Sequence, residues 1–263
     1  MLPVITMDIY VCIKQVPDTT TRIKLQENGG WIDTMDVQWI ISPCDEIAIE
    51  EALQLRDKHS GSTVTALSAG PARVADSLRM ALAMGVDSGV HLDLFEQADS
   101  FLTARVLAAG VKHLGRPDII FTGKEAIDDG AAQVSQLLAE FLDLPCVTVV
   151  QEIIYEEGQA VCNRSMGGGS REIIETRLPA VLAGQIGLNQ PRYATALNII
   201  KAKKKAIKTL TPDELGVTDL ECKTRLKNFE LPPPKAPCRL IAGEPREQAS
   251  EIIRILREEL KVI

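Results

Sequence analysis

As far as Val150, short runs rich in β-branched and apolar residues alternate with longer stretches whose apolar residues recur every three or four positions. That alternation is the signature of βαβ units wound about a parallel sheet. The runs predict strands at 8–14, 62–68, 89–92, 118–122 and 146–150. Three intervening helices carry clear apolar stripes: Ala48, Ala52 and Leu55 in 45–58; Val74, Leu78, Ala81 and Leu82 in 72–84; Val134, Leu137, Leu138 and Phe141 in 131–142. The last set follows i, i+3, i+4, i+7 spacing, so that helix can lay one face on a sheet.

After Val150 the rhythm changes. Residues 151–155, 160–164 and 172–177 read as antiparallel strands, with Gly167, Gly168 and Gly169 as a hairpin loop, and 179–184 as a further buried strand. Residues 185–246 read as mostly irregular. They include a lysine run, Lys201 to Lys205 with Lys208, and three consecutive prolines within 231–237 that exclude a helix there. A closing helix over 248–260 carries Ala249, Ile252, Ile253, Leu256 and Leu260 on one face. A long irregular stretch ending in an amphipathic helix is unusual within one compact domain and suggests an arm laid over another subunit.

Composition narrows the function. A chain of 263 residues, 45% hydrophobic, can form one large α/β domain with an appendage. A net charge of -7 argues against nucleic acid, which needs a basic face. No apolar run is long enough to span a membrane. Residues 1–6 lack the pattern of a secretory signal, and Met7 could serve as a second start. The cysteines, Cys12, Cys44, Cys146, Cys162, Cys222 and Cys238, form no Cys-x-x-Cys pair, and His59, His91 and His113 stand apart. Neither a metal site nor a disulfide framework is expected, and the expected location is the cytoplasm or an equivalent reduced compartment.

Segment 121–134, FTGKEAIDDGAAQV, runs from a strand through a glycine-containing loop into a helix N-terminus. Unpaired backbone N–H groups and partial positive charge suit such a point to a phosphate. The alternative is that Asp128 or Asp129 caps the helix. Two carboxylates also repel phosphate, so with a nucleotide present they should turn toward ribose hydroxyls or backbone amides. Segment 41–47, ISPCDEI, opens the first long helix, where Ser42 or Cys44–Asp45 reads as a cap with Pro43 fixing the turn. The loop at 68–71 holds the βα position where open sheets bind ligands. The strand ends after Lys14, Ser68 and Thr122 could thus share one crevice with the Ser42–Asp45 turn. There is no Gly-x-Gly-x-x-Gly fingerprint and no nucleophile elbow. The lysine run reads as a solvated face or as a docking patch for an acidic protein surface.

Four segments together resemble electron transfer flavoprotein beta subunits: 12–18 (CIKQVPD), 42–53 (SPCDEIAIEEAL), 123–129 (GKEAIDD) and 188–195 (LNQPRYAT). The resemblance runs from about Met7 through the lysine run. It implies an α/β fold, a parallel-sheet adenine-nucleotide-binding domain of Rossmann-like, HUP type over 7–184, with a small antiparallel extension at 151–178. A partner-recognition loop and Lys-rich segment would follow at 185–210. Residues 211–263 would form a C-terminal arm ending in a helix on the partner subunit. It further implies an electron carrier subunit, not a stand-alone enzyme, paired with an alpha subunit that holds the redox-active FAD. The beta chain would bind AMP structurally, surrounded by Cys12, Ser42, Pro43, Cys44, Asp45, Ala69, Gly123, Lys124, Glu125, Ala126, Ile127, Asp128, Asp129, Gly130, Ala131, Ala132, Gln133 and Val134. Docking of flavin dehydrogenases of the acyl-CoA dehydrogenase type would fall to Leu188, Asn189, Pro191, Arg192, Tyr193, Ala196, Leu197 and Lys201. Electrons would pass on to a quinone oxidoreductase or another acceptor.

Departures from the family pattern matter. Ser42 stands where many members have Asn, Ala196 where many have a leucine anchor (here Leu197 follows one residue later), and Thr19 where some have Tyr. A bifurcating branch places a second FAD where others hold AMP. Residues 14–19 and 132–134 resemble that branch, but the loop 127–133 lacks its Gly-Asp-Thr order, which favours AMP. Two other classes share the expected fold. ATP-using ligases or hydrolases usually carry Ser-Gly-Gly-x-Asp-Ser or His-x-Gly-His, and neither occurs. A nucleotide-sensing module would have no use for the C-terminal arm.

Overall fold

A computed structural model describes residues 6–27, 29–235 and 237–263. The reading of the N-terminus falls, for residues 1–5, outside the described residues, as does Ala236 of the proline segment.

Strand β1 (Asp8–Cys12) sends Ile9 and Val11 into one apolar core and Tyr10 and Cys12 into another. A strand covered on both faces reads as a nearly unbroken apolar run, which is why β1 lacks polar alternation. A two-stranded antiparallel ribbon, β2 (Gln15–Pro17) and β3 (Trp39–Ile41), leads into α1 (Pro43–Lys58). Then follow β4 (Thr63–Gly70), α2 (Val74–Met84), β5 (Ser88–Asp93), α3 (Ser100–Leu114), β6 (Ile119–Gly123) and α4 (Val134–Leu142). The rest of the sheet comes from β7 (Cys146–Glu156), β8 (Gln159–Gly167), β9 (Ser170–Arg177) and β10 (Val181–Gly184), and, after α5 (Ala196–Lys204), from β11 (Ile207–Leu210). Helix α6 (Pro245–Arg254) widens into a π-type turn at Ile255–Glu259.

The nine strands of the main sheet run in the order β11-β5-β4-β1-β6-β10-β7-β8-β9. From β11 to β7 the neighbours are parallel; β7, β8 and β9 are antiparallel. Ile49, Leu53, Leu78 and Leu82 cover one face from α1 and α2. Leu102, Val106, Leu107 and Leu138 cover the other from α3 and α4. The chain moves outward from β1 through β4 to β5, then returns to β6 on the other side of β1. The order therefore reverses between β1 and β6, and the carboxyl ends at such a reversal are the usual place for a ligand crevice in an open α/β sheet.

Several expectations need correction. The helix expected from residue 131 begins at Val134, because Gly130 (φ 57°) and Ala132 (φ 50°) hold left-handed backbone that a right-handed helix cannot include. The runs 146–150 and 151–155 are one strand, β7, whose first half is paired with β10 and whose second half is paired with β8. The antiparallel hairpins thus continue the main sheet. Within the stretch read as irregular lie α5 and the edge strand β11. Helix α3, with no stripe singled out in the sequence, is capped by Asp99, whose side chain accepts the Leu102 N–H at 2.9 Å.

Candidate functional site

The carboxyl ends of β4, β1 and β6 are tied together by hydrogen bonds beyond the ladders. Ile13 N–H donates to Leu67 O at 2.9 Å, and the Ser68 hydroxyl to Ile13 O at 2.9 Å. Ser42 N–H donates to Lys14 O at 3.0 Å, which brings the start of α1 to the end of β1. Asp45 completes the joint: its two carboxylate oxygens accept the backbone N–H groups of Lys14 and Gly123, each at 2.8 Å. The absence of a side chain at Gly123 permits this. A Cβ there would lie 2.8 Å from the Cys44 carbonyl carbon and collide with Asp45 Oδ1.

Asp45 is therefore a brace between two strand ends, with both oxygens already engaged. Burial pushes its pKa up to about 7, against the pull of the Lys14 and Gly123 amides. Burial also pushes the Cys12 thiol up to about 12, with Asp45 adding to the effect, and raises Cys44 for the same reasons. Both remain neutral thiols, unsuited to nucleophilic work.

Ser42 occupies the cap position of α1 but caps nothing. Its side chain makes no capping bond, and its fully buried Oγ finds no hydrogen-bond partner among the described residues. A buried hydroxyl without a partner is costly, and such groups call for an explanation at a functional site.

Across the crevice, Gly130 N–H bonds back to Ala126 O at 2.9 Å and Ala131 N–H to Asp129 Oδ1 at 3.0 Å, shaping the loop before α4. Neither Asp128 nor Asp129 caps that helix. Both carboxylates instead reach Lys14 Nζ, at 2.8 Å each. Burial works against the lysine charge, but the two aspartates lift its pKa above the ordinary value. The repulsion expected between these carboxylates and a phosphate is thereby offset by a cation from the neighbouring strand end. The first intrahelical bond of α4 is Leu137 N–H to Gln133 O at 3.1 Å, so the N–H groups of Val134, Ser135 and Gln136 lack intrahelical acceptors. Beneath them Ser135 Oγ pairs with Thr122 Oγ1 at 2.8 Å. An added Cβ on Gly130 would meet nothing within 4 Å, so the approach is open there.

The structure thus gathers Ser42, Pro43, Cys44, Asp45, Gly123, Asp128, Asp129 and the residues up to Val134 around the β1–β6 crevice, with Cys12 in the core beneath. Ala69 lies at the end of β4, and Lys124 is fixed by its N–H to Gly184 O at 2.8 Å and its side chain to Glu125 at 3.1 Å. Lys14 belongs to this set and was not singled out by residue type. Its strand-end position was the available signal.

The expected docking residues separate into two groups. Leu188 packs against the core. Asn189 and Arg192 fold back onto α1, where Arg192 binds Glu50 and Asp57. Tyr193, 97% exposed, and Leu197, 60% exposed, face outward beside Lys201, with Ile200 one turn on. Lys205 turns inward instead, its ammonium on the carbonyls of Val86 and Asp87.

Comparison with known proteins decides the family. A model of the electron transfer flavoprotein domain matches residues 29–215. The electron transfer flavoprotein subunit beta of Bacillus subtilis is 39% identical over 262 residues, covering 98% of this chain and all of that protein. The subunits beta of Syntrophomonas wolfei and of Homo sapiens are each 36% identical, over 97% and 95% of this chain and 98% and 96% of theirs. The chain belongs to the electron transfer flavoprotein beta-subunit family. Family membership agrees with the α/β fold with its mostly parallel sheet, and ties the chain to flavin-linked electron transfer. Among the described residues, no helix of this electron transfer flavoprotein chain is long and apolar enough to cross a membrane.

Proposed function

We propose that this chain is the nucleotide-holding, partner-docking subunit of a two-chain flavin electron carrier. Its crevice takes the adenylate group of AMP, and its partner alpha subunit holds the FAD. The observation that carries the reading is the orphaned, buried Ser42 hydroxyl at the β1–β6 reversal, opposite the open first turn of α4. A nucleotide would supply that hydroxyl with a hydrogen-bonding partner and bring a phosphate to the helix N-terminus. Such an interaction contributes about 0.3–1 kcal/mol from the helix dipole when exposed and up to about 2 kcal/mol when partly buried. Lys14 keeps Asp128 and Asp129 from opposing it.

When bound, FAD supplies the redox chemistry and AMP none. This chain's own residues bind, brace and orient, which is the protein's share in a cofactor-based carrier. Tyr193, Leu197 and Ile200, rimmed by Lys201, Lys203 and Lys204, form an apolar patch with a basic edge suited to a flavin dehydrogenase of the acyl-CoA dehydrogenase type. Electrons then leave to a quinone oxidoreductase or a comparable acceptor. The arm beyond residue 230 would lie over the alpha subunit. The six unpaired cysteines favour a reduced compartment such as the cytoplasm.

The test is to co-express the chain with its alpha partner, purify the heterodimer and count nucleotides. One FAD and one AMP are expected. Two FAD without AMP would replace the adenylate by a second flavin, as in the bifurcating branch. A heterodimer holding nucleotide only on the alpha chain would overturn the reading of the crevice.

A further inference from the structure

The segment between Leu188 and α5 has an unusual means of support. No backbone–backbone hydrogen bond holds residues 189–194 among the described residues. Its course is fixed by side chains laid along α1. Asn189 Nδ2 donates to Ile47 O at 3.1 Å and to Glu51 Oε2 at 3.0 Å. The other oxygen of Glu51 takes the Tyr155 hydroxyl at 2.8 Å. Arg192 gives three bonds to Glu50: its backbone N–H at 3.1 Å and Nε at 2.8 Å to one oxygen, and Nη2 at 3.1 Å to the other. Its remaining nitrogen, Nη1, reaches Asp57 at 3.1 Å. The Glu50 side chain is only 6% exposed, and Gln54 also donates to it.

Helix α5 is secured differently at its two ends. At the C-terminal end Ala202 is buried, and Arg79 lies within 3.4 Å of the carbonyls of Ala202, Lys203 and Lys205. At the N-terminal end Thr195 caps the helix by accepting the Asn198 N–H at 3.2 Å, and Thr195 is itself placed by the segment before it, whose Ala194 packs against the core. Tyr193 and Leu197, the outward apolar residues, lie at that end. A planar guanidinium forked onto a carboxylate fixes direction as well as distance.

We propose that Glu50 and Arg192 are positioning residues: their pairing on α1 holds Tyr193 and the first turn of α5 preformed for the electron-donating partner. This rests on the docking reading given above. Preorganisation lowers the ordering cost of association, so its loss shows in affinity before it shows in the chemistry of a bound complex. Because α1 also carries Ser42 and Asp45 at its start, the docking segment and the nucleotide crevice are referenced to one rigid element.

The experiment uses the whole heterodimer as electron acceptor for an acyl-CoA dehydrogenase of the same organism with its acyl-CoA substrate, following flavin reduction. Glu50→Gln, Arg192→Gln, the double variant, Leu197→Ala and Tyr193→Ala are compared. Each single change in the pair is expected to raise KM for the heterodimer about tenfold with kcat within twofold, and to speed amide exchange in residues 189–200. The double variant should be no more than about twofold worse than the worse single, since one pair is lost in each case. If Leu197→Ala raises KM while both pair variants leave it within twofold, the positioning role is wrong and the docking patch stands. If Leu197→Ala and Tyr193→Ala also change nothing, the docking reading fails and takes this one with it. Should Glu50→Gln not fold, Arg192→Lys, which keeps the charge but loses the fork, is read by the same criteria.

Discussion

Asp45 accepts the backbone N–H of Gly123 at 2.8 Å across 78 positions of sequence, joining the first turn of α1 to the end of β6. Its other oxygen takes the Lys14 N–H, so one buried carboxylate spans the two strands between which the sheet order reverses. The crevice is therefore framed by the protein's own interactions, and its walls are referenced to a single side chain.

The raised pKa of Asp45 gives a signed prediction. Its folded value, about 7, lies above the ordinary 3.8, so folding favours the protonated form. The stability associated with this preference is complete below about pH 4 and is lost as pH rises toward 7. Asp45→Asn lacks this titration. The stability of the wild type minus that of the variant, from urea unfolding at several pH values, should fall between pH 4 and pH 7. A flat difference across that window would sink the assignment.

Gly123→Ala should damage both the joint and the crevice. The new methyl would meet the Cys44 backbone and the Asp45 carboxylate, neither of which can swing away. Overpacking of this kind costs about 1–3 kcal/mol, read here by denaturant midpoint at constant slope. Bound AMP should be lost from the heterodimer as well.

Lys14→Gln separates stability from binding. Its pairs with Asp128 and Asp129 are partly exposed, and such pairs contribute about 0.2–1 kcal/mol each, so stability should change little. Unneutralised, however, the two carboxylates would face the phosphate. AMP affinity by calorimetry should drop about tenfold, and less at high salt because screening weakens the repulsion. Unchanged affinity would mean that the phosphate lies away from this loop.

How much of this could be read from the sequence follows from burial. Residues 119–121, Ile-Ile-Phe, are all fully or nearly fully buried, and a run of that kind has few readings other than a central strand. Helix α4 is legible through its stripe, but it starts three residues later than the pattern suggests, since nothing in the residue type of Ala132 announces positive φ. Helix α3 buries Leu102, Ala104, Val106, Leu107, Ala108 and Val111, so wide a face that no narrow stripe stands out. Helix α5 buries only Ala202, and edge strand β11 only Leu210, which leaves both looking like polar loop. At the site, the phosphate-type loop and the Ser42 turn were visible as segments. The Asp45 brace, the Lys14 pairing and the Arg192 clamp depend on contacts between residues far apart in sequence, which local patterning does not encode.

The C-terminal arm tests the two-chain reading most directly. Among the described residues, its last aromatic contact with the body is Phe229, whose ring stands edge-on to Trp31 with centroids 5.2 Å apart. Beyond it, the hydrogen bonds and ion pairs among the described residues stay within the arm, as between Arg239 and Glu251 or Glu259. Helix α6 buries none of its residues, and Leu240, Ile252, Ile253 and Leu260 remain open to solvent. An apolar face of that extent gains nothing from this chain, so ordering it must be offset by burial elsewhere. Truncation after Glu230 should leave the unfolding free energy of the isolated chain within about 0.5 kcal/mol, as for surface changes generally. The same truncation should weaken heterodimer formation at least about tenfold, a loss of 1.4 kcal/mol or more, measured by sedimentation with the alpha subunit. A truncated chain that still assembles at full strength would show that the arm serves some other surface.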